Sequence, residues 1–282
     1  MRLYLMKNKK SIRLIGVDLD GTLLNDDKQL CDGARETISA AKARGIHLVP
    51  ITGRPLTGIP DCIRQVPEIE YYICSNGAQI VDAATGESLY SYTIDNARCR
   101  KIISALRTLD CKFEPFADGV GYAEPDVYNY YKETFENTPL ADYIFSSRKV
   151  AENLEALFAD GTRCADEFFV NCSDEATRTA LIRLMDGIGG LQYCNLGDRF
   201  IEITNKGTDK GEALEALCRH LGIAVENTMA FGDGENDLLF LEKAGIAVAM
   251  GNAFPSVKEK ADIIADTNND NGVCKIIQQL LF

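Results

Sequence analysis

Short, continuous apolar runs alternate with helical patterns at both ends of this 282-residue chain. Near the amino terminus, turns and helix-like stretches separate the runs IRLIGV (12–17), IHLVPI (46–51) and YYIC (71–74). A continuous apolar run is typical of a strand buried on both faces, and helices between such strands imply parallel pairing with right-handed crossovers. The sequence therefore predicts an α/β fold built on a parallel sheet.

This alternation is interrupted in the middle of the chain. After SNGAQIV, the turn signal DAATGE and the run LYSYTI predict a hairpin. The following residues are typical of an antiparallel sheet with helices over 95–109 and 174–186, capped by Asp95 and Ser173. The strand–helix rhythm returns from Thr208. We therefore predict a discontinuous core of residues 1–87 and 204–282, interrupted by an inserted α+β domain of residues 88–203.

Composition excludes several classes of protein. Hydrophobic residues make up 46% and charged residues 26% of the chain, which is ordinary for a soluble globular protein. The net charge of -12 disfavours nucleic acid and anionic membranes as partners. None of the ten cysteines forms a C-x-x-C pair, and those in YYICSNG and FFVNCS are expected to be small buried residues.

The amino-terminal stretch lacks the uninterrupted apolar region of a signal peptide, and no apolar stretch approaches the roughly 18 residues of a membrane helix. We therefore expect a reduced, cytoplasmic protein without nucleic-acid or membrane partners. The sequence leaves its oligomeric state open.

Four short polar motifs follow predicted strands or begin helices of the core. They are Asp18-Leu19-Asp20-Gly21-Thr22, Thr52-Gly53-Arg54, the region of Lys210, and Gly232-Asp233-Gly234-Glu235-Asn236-Asp237. Each alone could be an ordinary turn, helix cap or surface loop. Because ligands of parallel sheets bind at the carboxyl ends of the strands, the four motifs together indicate a functional site at that edge.

Carboxylates at this edge predict a metal ion. Asp18, Asp233 and Asp237 would repel one another without a cation between them, and Mg²⁺ favours carboxylates together with substrate phosphate oxygens. The chain lacks the EF-hand spacing of a common calcium site. A carboxylate beside Mg²⁺ can attack phosphorus, a lysine and a hydroxyl can hold phosphoryl oxygens, and a second carboxyl can act as general acid.

The segments DLDGTLL, ITGR, DKGEAL and GDGENDLLFL resemble, in order, the four motifs of the haloacid dehalogenase (HAD) superfamily. SNGA (75–78) and AMGNA (249–253) are similar to segments of its Cof-type branch, subfamily IIB. The resemblance implies a Rossmann-like parallel-sheet HAD core. It also implies an inserted α+β cap domain of the C2 type, which sets substrate specificity.

The same resemblance implies catalytic roles. Asp18 would be the nucleophile that forms an aspartyl-phosphate, and Asp20 the acid that protonates the leaving oxygen and then activates water. Thr52, with the backbone of Gly53, would hold the phosphoryl group. Lys210 would neutralise phosphoryl charge and orient Asp18, with Lys206 as the rival lysine.

The resemblance also implies binding roles. Asp233 would bind Mg²⁺ directly, with the carboxylate of Asp18 and the main-chain carbonyl of Asp20. Asn236 and Asp237 would complete the metal surroundings directly or through water. Contact with substrate is expected for Arg54 and Asn76.

These inferences predict a Mg²⁺-dependent phosphatase acting on a small phosphorylated metabolite, a sugar phosphate or a phosphorylated cofactor. A phosphomutase or phosphotransferase on the same fold is the first alternative, and a non-catalytic protein that binds a phosphorylated ligand is the second. His47 and His220 are too far apart in the sequence pattern to suggest a histidine metal cluster. The chain also lacks the P-loop motif.

Overall fold

The computed structural model describes residues 11–196 and 199–281. The contacts within the chain divide it into two compact units. The core unit contains the residues up to Gly53, Pro60–Tyr90 and the residues from Asp209 onward, and the inserted unit contains Arg54–Ile59 and Ser91–Thr208. The contacts thus divide the chain after Tyr90 and after Thr208, whereas the sequence predicted divisions after residues 87 and 203.

The elements are numbered along the chain. The strands are β1 (Leu14–Val17), β2 (His47–Pro50), β3 (Tyr71–Cys74), β4 (Gln79–Asp82), β5 (Ser88–Ser91), β6 (Cys111–Ala117), β7 (Val120–Ala123), β8 (Arg148–Val150), β9 (Glu167–Cys172), β10 (Leu191–Leu196), β11 (Phe200–Asn205), β12 (Thr228–Gly232), β13 (Ile246–Ala249) and β14 (Ile263–Ile264). The helices are α1 (Ala34–Lys42), α2 (Asp61–Arg64), α3 (Asn96–Leu106), α4 (Pro125–Phe135), α5 (Ala141–Ser147), α6 (Leu154–Leu157), α7 (Glu175–Ile188), α8 (Lys210–Leu221), α9 (Leu238–Lys243), α10 (Pro255–Lys258) and α11 (Gly272–Leu281).

The core unit is built on a parallel sheet with strand order β14-β13-β12-β1-β2. Every residue of β1, β12 and β13 is buried, as their continuous apolar sequences predict. A parallel bridge between Ile51 and Ile73 places β3 beside β2, and β3, β4 and β5 form a smaller sheet that includes the predicted hairpin. The predicted α/β class with a parallel core sheet is confirmed.

The inserted unit has its own sheet, with strand order β10-β11-β9-β6-β7-β8. Its pairs are antiparallel except β7 with β8, so the expected α+β architecture is confirmed. One face of this sheet contributes Phe168 and Ile201 to a buried apolar cluster that also contains Ile102 of α3 and Leu181 of α7. Burial of this cluster gives the unit a hydrophobic core of its own.

Three of the longer helices have an aspartate as their N-cap residue. Asp95 accepts the amide of Arg98 at the start of α3, as predicted. The helix predicted over 174–186 is α7, and its cap is Asp174 and not Ser173, because Asp174 accepts the amide of Thr177 at 2.8 Å. Asp209 Oδ1 accepts the first free amides of α8 at 2.8 Å, which fixes the helix that begins with Lys210.

All ten cysteines are free thiols, and Cys74 and Cys172 are buried as expected. Within residues 11–196 and 199–281, the helices are too short or too polar to cross a membrane.

Candidate active site

Three of the four motifs lie at the carboxyl edge of the core sheet, because each follows a parallel strand. Asp18 follows β1, Thr52 comes two residues after β2, and Asp233 follows β12. The Asp18 amide donates to the carbonyl of Phe231 in β12 at 3.0 Å. This backbone bond fixes the point at which the Asp18 side chain leaves the sheet.

Lys210 joins two of the motifs through its side chain. Its Nζ donates to Asp18 Oδ1 and to Asp237 Oδ1, each at 2.7 Å, and the side chain is only 1% exposed. Burial by itself would lower the pKa of Lys210, but the charges of Asp18 and Asp237 outweigh it and raise that pKa above its usual value. The lysine is therefore a permanent buried cation at the sheet edge.

Asp237 is held from both of its oxygens. While Oδ1 accepts from Lys210, Oδ2 accepts the amides of Asp233 at 2.9 Å and Gly234 at 3.0 Å. A Cβ on Gly232 would lie 2.5 Å from the Cβ of Asp237, so only glycine leaves room for this carboxylate. Asp237 thus shapes the turn that carries Asp233.

The carboxylates of Asp18, Asp233 and Asp237 can each offer an oxygen within 4.8 Å of the others. Burial, with help from Asp237 and Asp233 and against the charge of Lys210, raises the pKa of Asp18 well above its usual value. Burial and the charge of Asp237 likewise raise the pKa of Asp233 to about 6. When all three carboxylates are ionised, they and Lys210 carry an excess of two negative charges, which suits a divalent cation with oxygen ligands.

Thr22 and Asn252 support the Asp233 carboxylate. Thr22 Oγ1 donates to Asp233 Oδ1 at 2.9 Å, and Asn252 Nδ2 lies 3.4 Å from Oδ2 while donating to the carbonyl of Gly21 at 2.8 Å. Gly21 has φ 80°, and a Cβ there would lie 2.4 Å from Asp233 Oδ2. Sequence reasoning gave Thr22 and Asn252 no role, although both stand within the quoted motifs DLDGT and AMGNA.

A second polar group forms beside the acidic cluster. Thr52 is 2% exposed, and its carbonyl accepts the amide of Asn76 at 3.0 Å. The side-chain amide of Asn236 in turn donates to Asn76 Oδ1 at 3.1 Å. The structure therefore brings three predicted site residues, Thr52, Asn76 and Asn236, into one hydrogen-bonded group, with half-buried Gly53 next in the chain.

Asp20 differs from these buried groups because water can reach it. Its side chain is 36% exposed, and its Oδ1 lies 2.9 Å from the Nζ of Lys28. A carboxyl group at this position can exchange protons with a leaving group or with water. Sequence reasoning did not single out Lys28.

Arg54 packs within the inserted unit. Its guanidinium donates to the carbonyl of Gly58 at 2.9 Å and lies 4.2 Å from the ring centroid of Tyr143, and the residue is 4% exposed. These contacts give Arg54 a structural role within the inserted unit. Its predicted contact with substrate stays a prediction.

The remaining sequence candidates lie in other surroundings. Lys206, the rival lysine, is exposed, whereas Lys210 is buried among carboxylates. His47 Nδ1 lies 2.7 Å from Glu70 Oε2, and exposed His220 packs edge-on to Tyr71. Of the two lysines, Lys210 is therefore the one that can act on Asp18.

Comparison with known proteins finds relatives that match 94–95% of the chain. Residues 15–277 match the haloacid dehalogenase-like hydrolase family. The chain is 28% identical to a 5-amino-6-(5-phospho-D-ribitylamino)uracil phosphatase of Bacillus subtilis, over 95% of each protein. It is 27% identical to a pyridoxal phosphate phosphatase of Escherichia coli, over 94% of this chain and 97% of that protein.

Solved structures agree with these sequence matches. A haloacid dehalogenase-like hydrolase from B. subtilis superposes with a TM-score of 0.82 at 27% identity, covering 95% of this chain and all of that one.

Proposed function

The chain belongs to the haloacid dehalogenase-like hydrolase family, in its Cof-type branch, and on that premise we propose that it is a Mg²⁺-dependent phosphatase of small phosphate monoesters. The observation that carries the proposal is the buried Lys210 between Asp18 and Asp237, with Asp233 completing a cluster of three carboxylates. A cation beside a carboxylate nucleophile is what attack on an anionic phosphate requires.

In the first step, Asp18 attacks phosphorus. A bond forms between an Asp18 oxygen and phosphorus while the bond from phosphorus to the ester oxygen breaks, and the product is an aspartyl-phosphate. Lys210 donates to Asp18 Oδ1 and so holds the carboxylate in a fixed orientation. The hydroxyl of Thr52 and the backbone of Gly53 hold the phosphoryl oxygens.

Asp20 moves the protons in both steps. It gives a proton to the departing ester oxygen, and then takes one from the water that attacks the aspartyl-phosphate, which returns Asp18 and Asp20 to their starting states and releases phosphate. Its partial exposure gives water a route to the group. One group can serve as acid and then base because the first step leaves it deprotonated.

Asp18, Asp233 and the main-chain carbonyl of Asp20 would hold the metal ion, with Asp237 and Asn236 in its surroundings. When bound, Mg²⁺ supplies positive charge that offsets the charge on the phosphoryl oxygens. Thr22 and Asn252 keep the Asp233 carboxylate in place for this role.

The proposed substrates are sugar phosphates or phosphorylated cofactors and their precursors. The two named relatives, which act on a phosphorylated ribitylamino compound and on pyridoxal phosphate, support this class. A protein that only binds such ligands would not need the full set of Asp18, Asp20 and Lys210.

The test is hydrolysis of nitrophenyl phosphate and a panel of phosphorylated metabolites, with Mg²⁺ and after removal of metal by a chelator. We expect hydrolysis with Mg²⁺ and none without it, and we expect Asp18→Asn to remove turnover while the circular dichroism spectrum is preserved. Lys42→Gln, which removes a half-buried lysine paired with Glu70, is the control.

Release of free phosphate separates a phosphatase from a phosphomutase, which would instead isomerise a hexose phosphate. Full activity of Asp18→Asn would contradict the proposed nucleophile.

A further inference from the structure

Lys28 is the most informative charged residue that the proposed function does not use. Its Nζ lies 2.9 Å from Asp20 Oδ1, and its side chain is 23% exposed. We propose that Lys28 is a positioning residue, which holds the Asp20 carboxyl in the orientation needed to protonate the leaving oxygen. The proposal rests on the proposed phosphatase activity and names a further residue of the same site.

The backbone of Lys28 is held in a costly conformation. Its φ of 61° lies in the left-handed region, which costs a residue with a side chain about 1 kcal/mol or more. A tight turn imposes this conformation: Lys28 donates its amide to the carbonyl of Asn25 at 3.0 Å, and Asn25 donates to the carbonyl of Gln29 at 2.9 Å. The turn thus fixes the backbone of Lys28 and the direction in which its side chain leaves the chain.

Two asparagines near the other end of the chain anchor this turn. Asn268, 3% exposed, donates through Nδ2 to the carbonyl of Leu24 at 3.0 Å and to Asp26 Oδ1 at 3.1 Å. Asn269 exchanges two hydrogen bonds with Asp26, at 2.9 and 3.0 Å. These hydrogen bonds hold the backbone of the turn on the side that contains Leu24 and Asp26.

The same anchor reaches the acidic cluster. Asn252 Oδ1 accepts the amide of Asn268 at 3.0 Å, while its Nδ2 donates to Gly21 and lies 3.4 Å from Asp233 Oδ2. Asp233 and the turn that carries Lys28 are therefore fixed by one connected set of side-chain hydrogen bonds. The turn that carries Lys28 is thus connected to Asp233, a residue that would hold the metal ion.

The chemistry explains why the orientation matters. An ammonium that donates to Oδ1 of Asp20 fixes the plane of the carboxyl group and leaves Oδ2 as the oxygen through which a proton can pass to the leaving group. A displacement of about 1 Å in such a group can cost about 10²-fold in rate. In the first step the proton passes from Asp20 to the ester oxygen as the P–O bond breaks, and Lys28 keeps all of its own protons.

The dependence on the leaving group tests the proposal. An alkyl phosphate needs its leaving oxygen protonated, whereas nitrophenolate leaves without a proton, and kcat/KM covers only the steps up to this departure. We expect Lys28→Gln to lower kcat/KM for a hexose phosphate by about 10- to 100-fold, and to lower it at least about tenfold less for nitrophenyl phosphate. Lys28→Arg, which restores the cation, should recover most of the loss.

Lys42→Gln is the matched control, because it removes another lysine–carboxylate pair, which lies near the amino-terminal ends of the strands and not at their carboxyl ends. It should leave kcat/KM unchanged for both the hexose phosphate and nitrophenyl phosphate. Equal losses on both substrates in Lys28→Gln would show that Lys28 binds the phosphoryl group, and no loss would show that it has no role; either result overturns the proposal. If wild-type protein hydrolyses neither substrate, the proposed function itself fails.

Discussion

Lys210 carries the buried positive charge that pairs with two carboxylates of the site. We expect Lys210→Met, which keeps the length and removes the charge, to abolish turnover. The substitution should also destabilise the core unit by about 3–5 kcal/mol, because Asp18 and Asp237 are left as buried carboxylates without their cation. Urea denaturation followed by circular dichroism measures this loss.

Low pH should reduce the effect of Lys210→Met, since protonation removes the unpaired charges. A variant as stable as wild type at neutral pH would contradict this assignment of the buried charges.

The raised pKa of Asp233 predicts how the free energy of unfolding depends on pH in the absence of metal. Its pKa of about 6 in the folded protein exceeds the ordinary value of 3.8, so the folded state binds more protons than the unfolded state between these values. The stabilisation from this group is therefore complete below about pH 4 and is lost as the pH rises through about 6.

We expect thermal melts with a chelator to show lower stability at about pH 7 than at about pH 5. Excess Mg²⁺ should raise the midpoint more at about pH 7, because a deprotonated Asp233 is the better ligand. A Mg²⁺ effect that is equal at both pH values would argue against Asp233 as a ligand.

Among the helices and strands, α8 affects the site most directly, because its first residue is Lys210. Asp209 caps this helix and Asp174 caps α7 in the inserted unit, each by accepting backbone amides through its carboxylate. Asp209→Ala and Asp174→Ala should each cost about 1 kcal/mol of stability. Only Asp209→Ala should also lower kcat, because Lys210 is the first residue of α8.

Stability from urea denaturation and kcat from phosphate release test this pair of variants together. A comparable loss of kcat in Asp174→Ala would show that the activity follows general stability and not the placement of Lys210.

At the scale of the whole molecule, each compact unit has a buried charge pair of its own. In the inserted unit, Arg148 Nη2 lies 2.9 Å from Glu114 Oε1, with the two side chains 4% and 0% exposed. Glu114→Gln leaves the Arg148 charge without its partner and should destabilise the protein by about 3–5 kcal/mol.

The matched control for this substitution is Glu175→Gln, which breaks a pair whose carboxylate is 70% exposed and should cost no more than about 0.5 kcal/mol. The chain contains no tryptophan, so circular dichroism and tyrosine absorbance report the unfolding transitions. Similar losses of stability in Glu114→Gln and Glu175→Gln would contradict the claim that burial makes the first pair more costly to break.

Sequence patterns alone predicted the α/β class of the core and a group of polar motifs at one edge of its sheet. Continuous apolar runs identified β1 and β3, and the polar residues that follow a parallel strand must lie at its carboxyl edge. Asp18 and Asp233 could therefore be assigned to the same edge of the sheet from sequence alone. These signals are local, since each depends on a few neighbouring residues.

The distant side chains that support these motifs became clear only in the folded structure. Asn268 reaches Leu24, and Asn252 reaches Gly21, across more than 200 residues of sequence. Arg54, next to the Thr52-Gly53 pair, packs in the inserted unit, and the contact with substrate that the family resemblance implies for it stays a prediction. Such contacts depend on strand order and on the path of loops, and neither propensity nor periodicity specifies these, because both describe how a segment folds and not which segment it meets.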